Sequence, residues 1–216
     1  MATLDDIANK VRKRFDDLDL AREKVIAMSR KIVRESADTI RAIHRGEIEA
    51  ARQRLSATNA KVREMHSHAS THPVIANAGF VTDAEKEHAE ANVTLAYILG
   101  EALPDPDDLG VSEASYLNGM AEAIGELRRH IVDCIRLGRL EQSERILEAM
   151  NDIYYALVTF DYPDAISQGL RRRTDAVRSL IEATRADLTR ALRQKHLEAA
   201  MQRLEGRLGA DDTPAD

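Results

Sequence analysis

From Leu4 to Ile43 the chain places apolar residues at Leu4, Ile7, Val11, Phe15, Leu18, Val25, Met28, Ile32, Ile40 and Ile43, mostly three or four residues apart. That recurrence belongs to one face of an α-helix, and a strand of such length does not exist in ordinary sheets. No proline or glycine interrupts the run before Gly46, which can take the left-handed conformation that closes a helix. A helix of about forty residues must therefore open the fold. The rest follows the same period: Glu47 towards His68, then the breaker "STHPVIANAGF", then a third helix with Thr82 or Asp83 as its cap, stopped by "PDPDDLG". Ser112 starts a fourth helix that ends at Gly138, a fifth covers about Glu141 to Phe160, and Pro163 begins a last long helical segment. With only 4% aromatic residues and five prolines in 216 positions, the composition also favours helices over sheets. The expected fold is all-α, a single bundle of about six to seven long helices over residues 1–207, with 208–216 as a disordered tail.

A net charge of -6 gives no general attraction for nucleic acid, so an anionic partner would need a local basic patch. Candidate patches are Arg12, Lys13 and Arg14; Arg41, His44 and Arg45; Arg128 and Arg129; and Arg171, Arg172, Arg173 and Arg178. The triple arginine is the densest. Lacking interleaved aromatics, it would follow a phosphate backbone rather than stack bases. The one cysteine, Cys134, fits a core position between Ile131 and Ile135 and excludes a disulfide framework. No run approaches the roughly 18 apolar residues of a spanning helix, and "MATLDDIANKVRKRF" lacks a signal-peptide core, so a cytoplasmic protein without membrane attachment is expected. His66, His68 and His72 could in principle share a metal, but their "HSHASTH" run reads better as a loop surface.

Two acidic pairs lie within apolar helix faces. Glu87 and Glu90 are three apart, Glu122 and Glu126 four apart, so each pair projects to one side of its helix. Like charges at such spacing cost roughly 0.2–0.5 kcal/mol. If the third and fourth helices pack together, four carboxylates meet, and they require a divalent cation or raised pKa values. Oxygen-only ligands suit Mg²⁺ or Mn²⁺. Only one Glu-x-x-His occurs, at Glu85 and His88, whereas the di-iron centre of four-helix bundles needs one from each of two helices, which argues against that centre. Spacing alone leaves a solvated acidic face as the alternative.

Three ordered motifs resemble the translin family, which includes translin and translin-associated factor X. "LDLAREKVIAMSRKIVRESADTIRAIHRGE", with Ser29, Arg30, Ser36, Ile43, His44 and Arg45, is similar to the family's first helix. "DPDDLGVSEASYLNGMAEAIGELRRHIV" is similar to its Tyr-Leu-x-Gly and Gly-Glu-Leu signature, and "DYPDAISQGLRRRTDAVRSLIEAT" to its closing segment. The resemblance covers roughly residues 14 to 190. It implies a bundle of about seven helices that assembles into closed, hollow oligomers, commonly octamers, with nucleic acid inside. The factor X branch uses a Glu-x-x-Glu and an acidic-x-x-x-Glu for metal-dependent RNA cleavage, whereas translin has largely lost them. These patterns fall on Glu87 and Glu90, and on Glu122 and Glu126, with Glu122 standing where the branch more usually has Asp. Compact loops suit an archaeal-type homologue acting alone. The resemblance thus implies an Mg²⁺-dependent endoribonuclease, with Mn²⁺ as a substitute. All four glutamates would be catalytic metal ligands, and Arg128, Arg129, Arg171, Arg172 and Arg173 would contact RNA or single-stranded DNA inside a homo-octamer. The alternative is a translin-like binding protein without cleavage.

Overall fold

A computed structural model describes residues 2–211, with side-chain surroundings to residue 207. Among the described residues there are nine helices and no strand: α1 (Leu4–His44), α2 (Ile48–Ala69), α3 (Pro73–Ala76), α4 (Gly79–Leu99), α5 (Pro106–Leu109), α6 (Glu113–Arg136), α7 (Leu140–Leu157), α8 (Asp164–Ser167) and α9 (Leu170–Asp211). The all-α expectation holds, with six long helices and three of a single turn.

Their ends follow local chemistry. Thr3 and Asp6 form a reciprocal capping box that satisfies amides at the start of α1. Gly46 closes the α1 turn at φ 74°, a value that penalises a side chain. Ser112 caps α6, as its sequence implies. The third long helix departs from expectation: α4 begins at Gly79, with extended Ala78 before it and no side-chain cap. Thr82 instead turns its hydroxyl back to the Gly79 carbonyl, 3.1 Å away. The histidine run is not a loop either, because His66 and His68 lie within α2 and only His72 precedes α3. The last helix reaches Asp211, so the expected tail is helical over 208–211, and 212–216 lie outside the described residues.

Helix α6 is the hub, packed against α4, α7 and α9, while α1 covers α2 and α4. Val25, Ile32, Val62, Val93, Ile124, Leu127, Ile131, Ile146 and Leu170 interlock in one core. Cys134 is buried in the α6 face, as its neighbours imply. The outer ends of the two longest helices project past this core. Leu4, Ile7, Val11 and Phe15 of α1 are exposed, as are Leu197, Met201 and Leu204 of α9. No helix among the described residues is long and apolar enough to cross a membrane.

Candidate metal centre and its cationic rim

The site forms where α4 and α6 touch. At Gly119 the two backbones approach so closely that a Cβ would sit 2.5 Å from the Lys86 carbonyl oxygen and 2.9 Å from the Glu90 amide nitrogen. One turn beyond that contact α6 presents Glu122, and α4 presents Glu87 and Glu90 to meet it. Each of these three carboxylates offers an oxygen within 4.8 Å of the other two. Glu126 stands outside the trio, one turn further along α6, but close enough for its charge to act on Glu90.

Electrostatics divides the four. Glu90 is pushed up to about 8, first by burial and then by the charges of Glu87, Glu122 and Glu126. Glu87 is also raised, chiefly by burial, although Lys86 opposes the shift. Glu126 is held below the ordinary range by a hydrogen bond from His44 Nε2, which reaches its Oε2 across 2.5 Å. His44 is almost wholly enclosed, and its Nδ1 has no partner. Glu122 receives two cations: Lys86 Nζ lies 2.7 Å from its Oε2 and Arg173 Nε 2.9 Å from its Oε1. Lys86 also lies 3.5 Å from Glu87. Burial would depress this ammonium, but the bond to Glu122 outweighs it and raises its pKa.

Three converging carboxylates, one retaining its proton near neutrality, fit a hard divalent cation that can displace that proton. Lys86 and Arg173 supply part of the compensation that a cation would otherwise provide.

The arginines expected on RNA occupy different places. Arg173 belongs to the rim of the acidic site and also donates to Asn118 Oδ1 at 3.0 Å. Arg171 lines a separate cavity between α7 and α9, and Arg172 is exposed. Successive helical residues point about 100° apart, so a triple cannot form one patch. Arg128 joins α6 to α9 through Thr184 Oγ1 and Asp187 Oδ2, both at 2.8 Å. Arg129 is exposed, 3.9 Å from Glu126. His66, His68 and His72 join no metal-like cluster among the described residues. Sequence reasoning did not find Lys86 and placed His44 only in a basic patch with Arg41 and Arg45, although His44 stands in the Ile-His-Arg element and Lys86 immediately precedes Glu87.

No protein-family model matches the chain. An uncharacterized protein of Methanocaldococcus jannaschii is 29% identical over 189 residues, which span 87% of this chain and 83% of the relative. The crystal structure of AfC3PO superposes with a TM-score of 0.79 and 34% identity, covering 85% of this chain and 96% of that one. AfC3PO in complex with duplex RNA gives 0.75 at 34% identity, covering 85% of this chain and 95% of that one. Apo-NeC3PO, at 18% identity and a TM-score of 0.77 over 88% of this chain and all of that one, shares the fold.

Proposed function

The chain belongs to the C3PO/translin family, and on that footing we propose that it is a homo-oligomeric, RNA-binding, Mg²⁺-dependent endoribonuclease of the factor X type. The observation that carries the reading is the convergence of Glu87, Glu90 and Glu122 at the α4–α6 contact, with Glu126 held anionic beside them. AfC3PO bound to duplex RNA supports RNA as the partner. The apolar stripes that project on α1 and α9 support assembly from several copies, with an octamer as the number that the family resemblance implies; single-stranded DNA as a further ligand rests on that resemblance alone.

Glu87, Glu90 and Glu122 would hold Mg²⁺ or Mn²⁺. When bound, the ion supplies charge stabilisation at the scissile phosphate and a more acidic water. To hold the ion, Glu90 would give up the proton that its buried, carboxylate-lined place retains. Glu126, ionised and outside the trio, is the acceptor for the proton of the attacking water. His44 fixes the orientation of Glu126, and Lys86 and Arg173 draw the phosphate backbone to the rim. A non-catalytic RNA-binding reading draws on one observation: Glu122 is already neutralised by those two cations.

Cleavage of a labelled RNA distinguishes the two readings. Hydrolysis should stop in EDTA and return with Mg²⁺ or Mn²⁺. Glu126→Gln should lower the rate by at least about 100-fold, while RNA affinity and oligomer size by light scattering stay unchanged. Equal cleavage by wild type and Glu126→Gln removes this residue from the mechanism, and no cleavage with restored metal leaves the binding reading.

A further inference from the structure

Lys86 and Glu90 are one turn apart on α4, and the backbone of both lies against Gly119, so the lysine stem leaves α4 at its close contact with α6. Lysine stems ordinarily carry their charge out to water. This side chain is only 15% exposed, and its ammonium ends among carboxylates. Nζ lies 2.7 Å from Oε2 and 3.0 Å from Oε1 of Glu122, and 3.5 Å from Oε1 of Glu87. It therefore bridges two of the three carboxylates that a divalent cation would need.

The two cations on Glu122 are held differently. Arg173 Nε reaches Glu122 at 2.9 Å, but its Nη1 also donates to Asn118 Oδ1 at 3.0 Å and to the Gln168 carbonyl at 3.1 Å. Asn118 is buried and is itself fixed by donating to the carbonyls of Ala114 at 2.7 Å and Ser167 at 2.9 Å. Arg173 thus keeps two neutral partners whatever happens to Glu122. Lys86 has no such anchor: among the described residues its ammonium contacts only Glu87 and Glu122. An arginine fork is preorganised, whereas an ammonium rides on a flexible four-carbon stem. That stem has room to turn, since Lys86 borders a cavity of about 210 Å³ whose wall includes Thr82, Asn118 and Arg173 but none of the four glutamates.

Held on the same oxygens, an ammonium and a divalent cation would stand within contact distance, where like charges in a half-buried site repel strongly. We propose that Lys86 is a displaceable counter-ion, an inference that rests on the RNA-cleaving reading above: its ammonium gives up Glu87 and Glu122 to a divalent cation and takes an RNA phosphate at the rim instead. Without the cation, RNA has to draw Lys86 away from Glu122. With it, the lysine is already free. Breaking the contact between Lys86 and Glu122 costs free energy once when both ligands bind, so each tightens the binding of the other. Arg173, anchored by Asn118, stays in place and marks the rim in both conditions.

Crystals of the full chain grown in EDTA and then soaked in Mn²⁺ test the displacement directly. The anomalous peak should lie among the three carboxylates, with Lys86 Nζ beyond ion-pair distance of Glu122 and Arg173 unmoved. In solution, calorimetry should show Lys86→Gln binding Mg²⁺ at least about tenfold more tightly than wild type, because no ammonium has to leave. RNA affinity separates displacement from the mere loss of a charge. On a Glu126→Gln background, which keeps the RNA intact, Lys86→Gln should weaken RNA binding by less than about twofold in EDTA and by about fivefold or more in saturating Mg²⁺. A lysine that never moves predicts equal losses in the two conditions. Equal losses, an Mg²⁺ affinity unchanged in Lys86→Gln, or Lys86 still on Glu122 beside bound Mn²⁺ overturns the proposal, as does the lack of metal binding in both proteins. Displacement of Lys86 without cleavage by wild type upholds it and overturns the nuclease reading. Mg²⁺-dependent cleavage with Lys86 unmoved does the reverse.

Discussion

Glu85 and Glu90 lie on the same helix, five residues apart and nearly equally enclosed at 3% and 9% exposure, yet their surroundings oppose each other. Burial works to raise Glu85, but contacts from His66, Ser112 and Ser115 outweigh it and hold the carboxyl below the ordinary range. Its Oε2 accepts from the Ser112 amide at 3.1 Å and the Ser112 hydroxyl at 2.6 Å, and His66 Nε2 lies 3.0 Å from its Oε1. Glu90 has no such donors and faces three other carboxylates. A buried acid surrounded by donors fastens one element to another; here Glu85 ties the start of α6 to α4. A buried acid surrounded by acids stores repulsion, which a proton or a cation relieves.

The largest consequence of this contrast lies in pH. For Glu90 the folded pKa of about 8 exceeds the unfolded 4.5, so its contribution to stability is fully present below pH 4.5 and is lost as pH rises through 8. The shift corresponds to at most about 5 kcal/mol. In EDTA, wild type and Glu90→Gln should therefore have similar stability near pH 4.5, and the variant should be more stable by several kcal/mol near pH 9. Taking the difference between the two proteins cancels titrating groups that do not act on Glu90, including buried His88, whose pKa is pushed down to about 4 by burial. Denaturant unfolding across that range checks it; parallel curves would mean that Glu90 is relieved by other means.

Glu85 should respond in the opposite sense. Glu85→Ala strands the Ser112 amide and hydroxyl at a buried junction and should cost about 2–4 kcal/mol, by the loss of charge-assisted hydrogen bonds and the exposure of unsatisfied donors. Its effect should be present at pH 7 with or without Mg²⁺. Unfolding curves in EDTA and in Mg²⁺ that shift by the same amount would sharpen the division between fastening and functional acids. A cost confined to the metal-loaded protein would dissolve it.

Only the functional side of this contrast was legible beforehand: the sequence singled out Glu90 and its partners but not Glu85, and the illegible part has a common cause. The carboxylates lie at helical spacing in two segments, so Glu87 with Glu90 and Glu122 with Glu126 could be paired within each helix from sequence. Ser112, Gly46 and Gly138 marked helix ends because capping depends on immediate neighbours. What sequence did not show was contact between distant positions. Lys86 meets Glu122 36 residues away, Arg173 meets it across 51, and His44 reaches Glu126 across 82. The triple arginine is divided for the same reason: neighbours in sequence point to different sides of a helix, so Arg173 alone reaches the acidic site. Even the start of α4 escaped, because Ala78 enters in extended conformation and leaves Thr82 and Asp83 already inside the first turns.

The smallest expected stability change tests what brings the two helices together. Gly119→Ala places a methyl carbon 2.5 Å from the Lys86 carbonyl oxygen and 2.9 Å from both the Ala89 Cβ and the Glu90 nitrogen, and two of these three atoms are backbone. Helix α4 must yield, because no rotamer change can clear a carbonyl. Overpacking of this kind costs about 1–3 kcal/mol, partly offset by the better helix propensity of Ala, worth up to about 1 kcal/mol. Gly125 on the same helix is the control, since a Cβ there meets nothing within 4 Å. Gly125→Ala should therefore be neutral or stabilising. The informative reading is at the carboxylates: moving α6 outward takes Glu122 from Glu87 and Glu90, so calorimetric Mg²⁺ affinity should fall for Gly119→Ala and not for Gly125→Ala. The pH-dependent instability attributed to Glu90 should shrink in the same variant as its neighbours recede. If Gly119→Ala loses stability but keeps its Mg²⁺ affinity and pH dependence, Glu122 is not part of the cluster that strains Glu90.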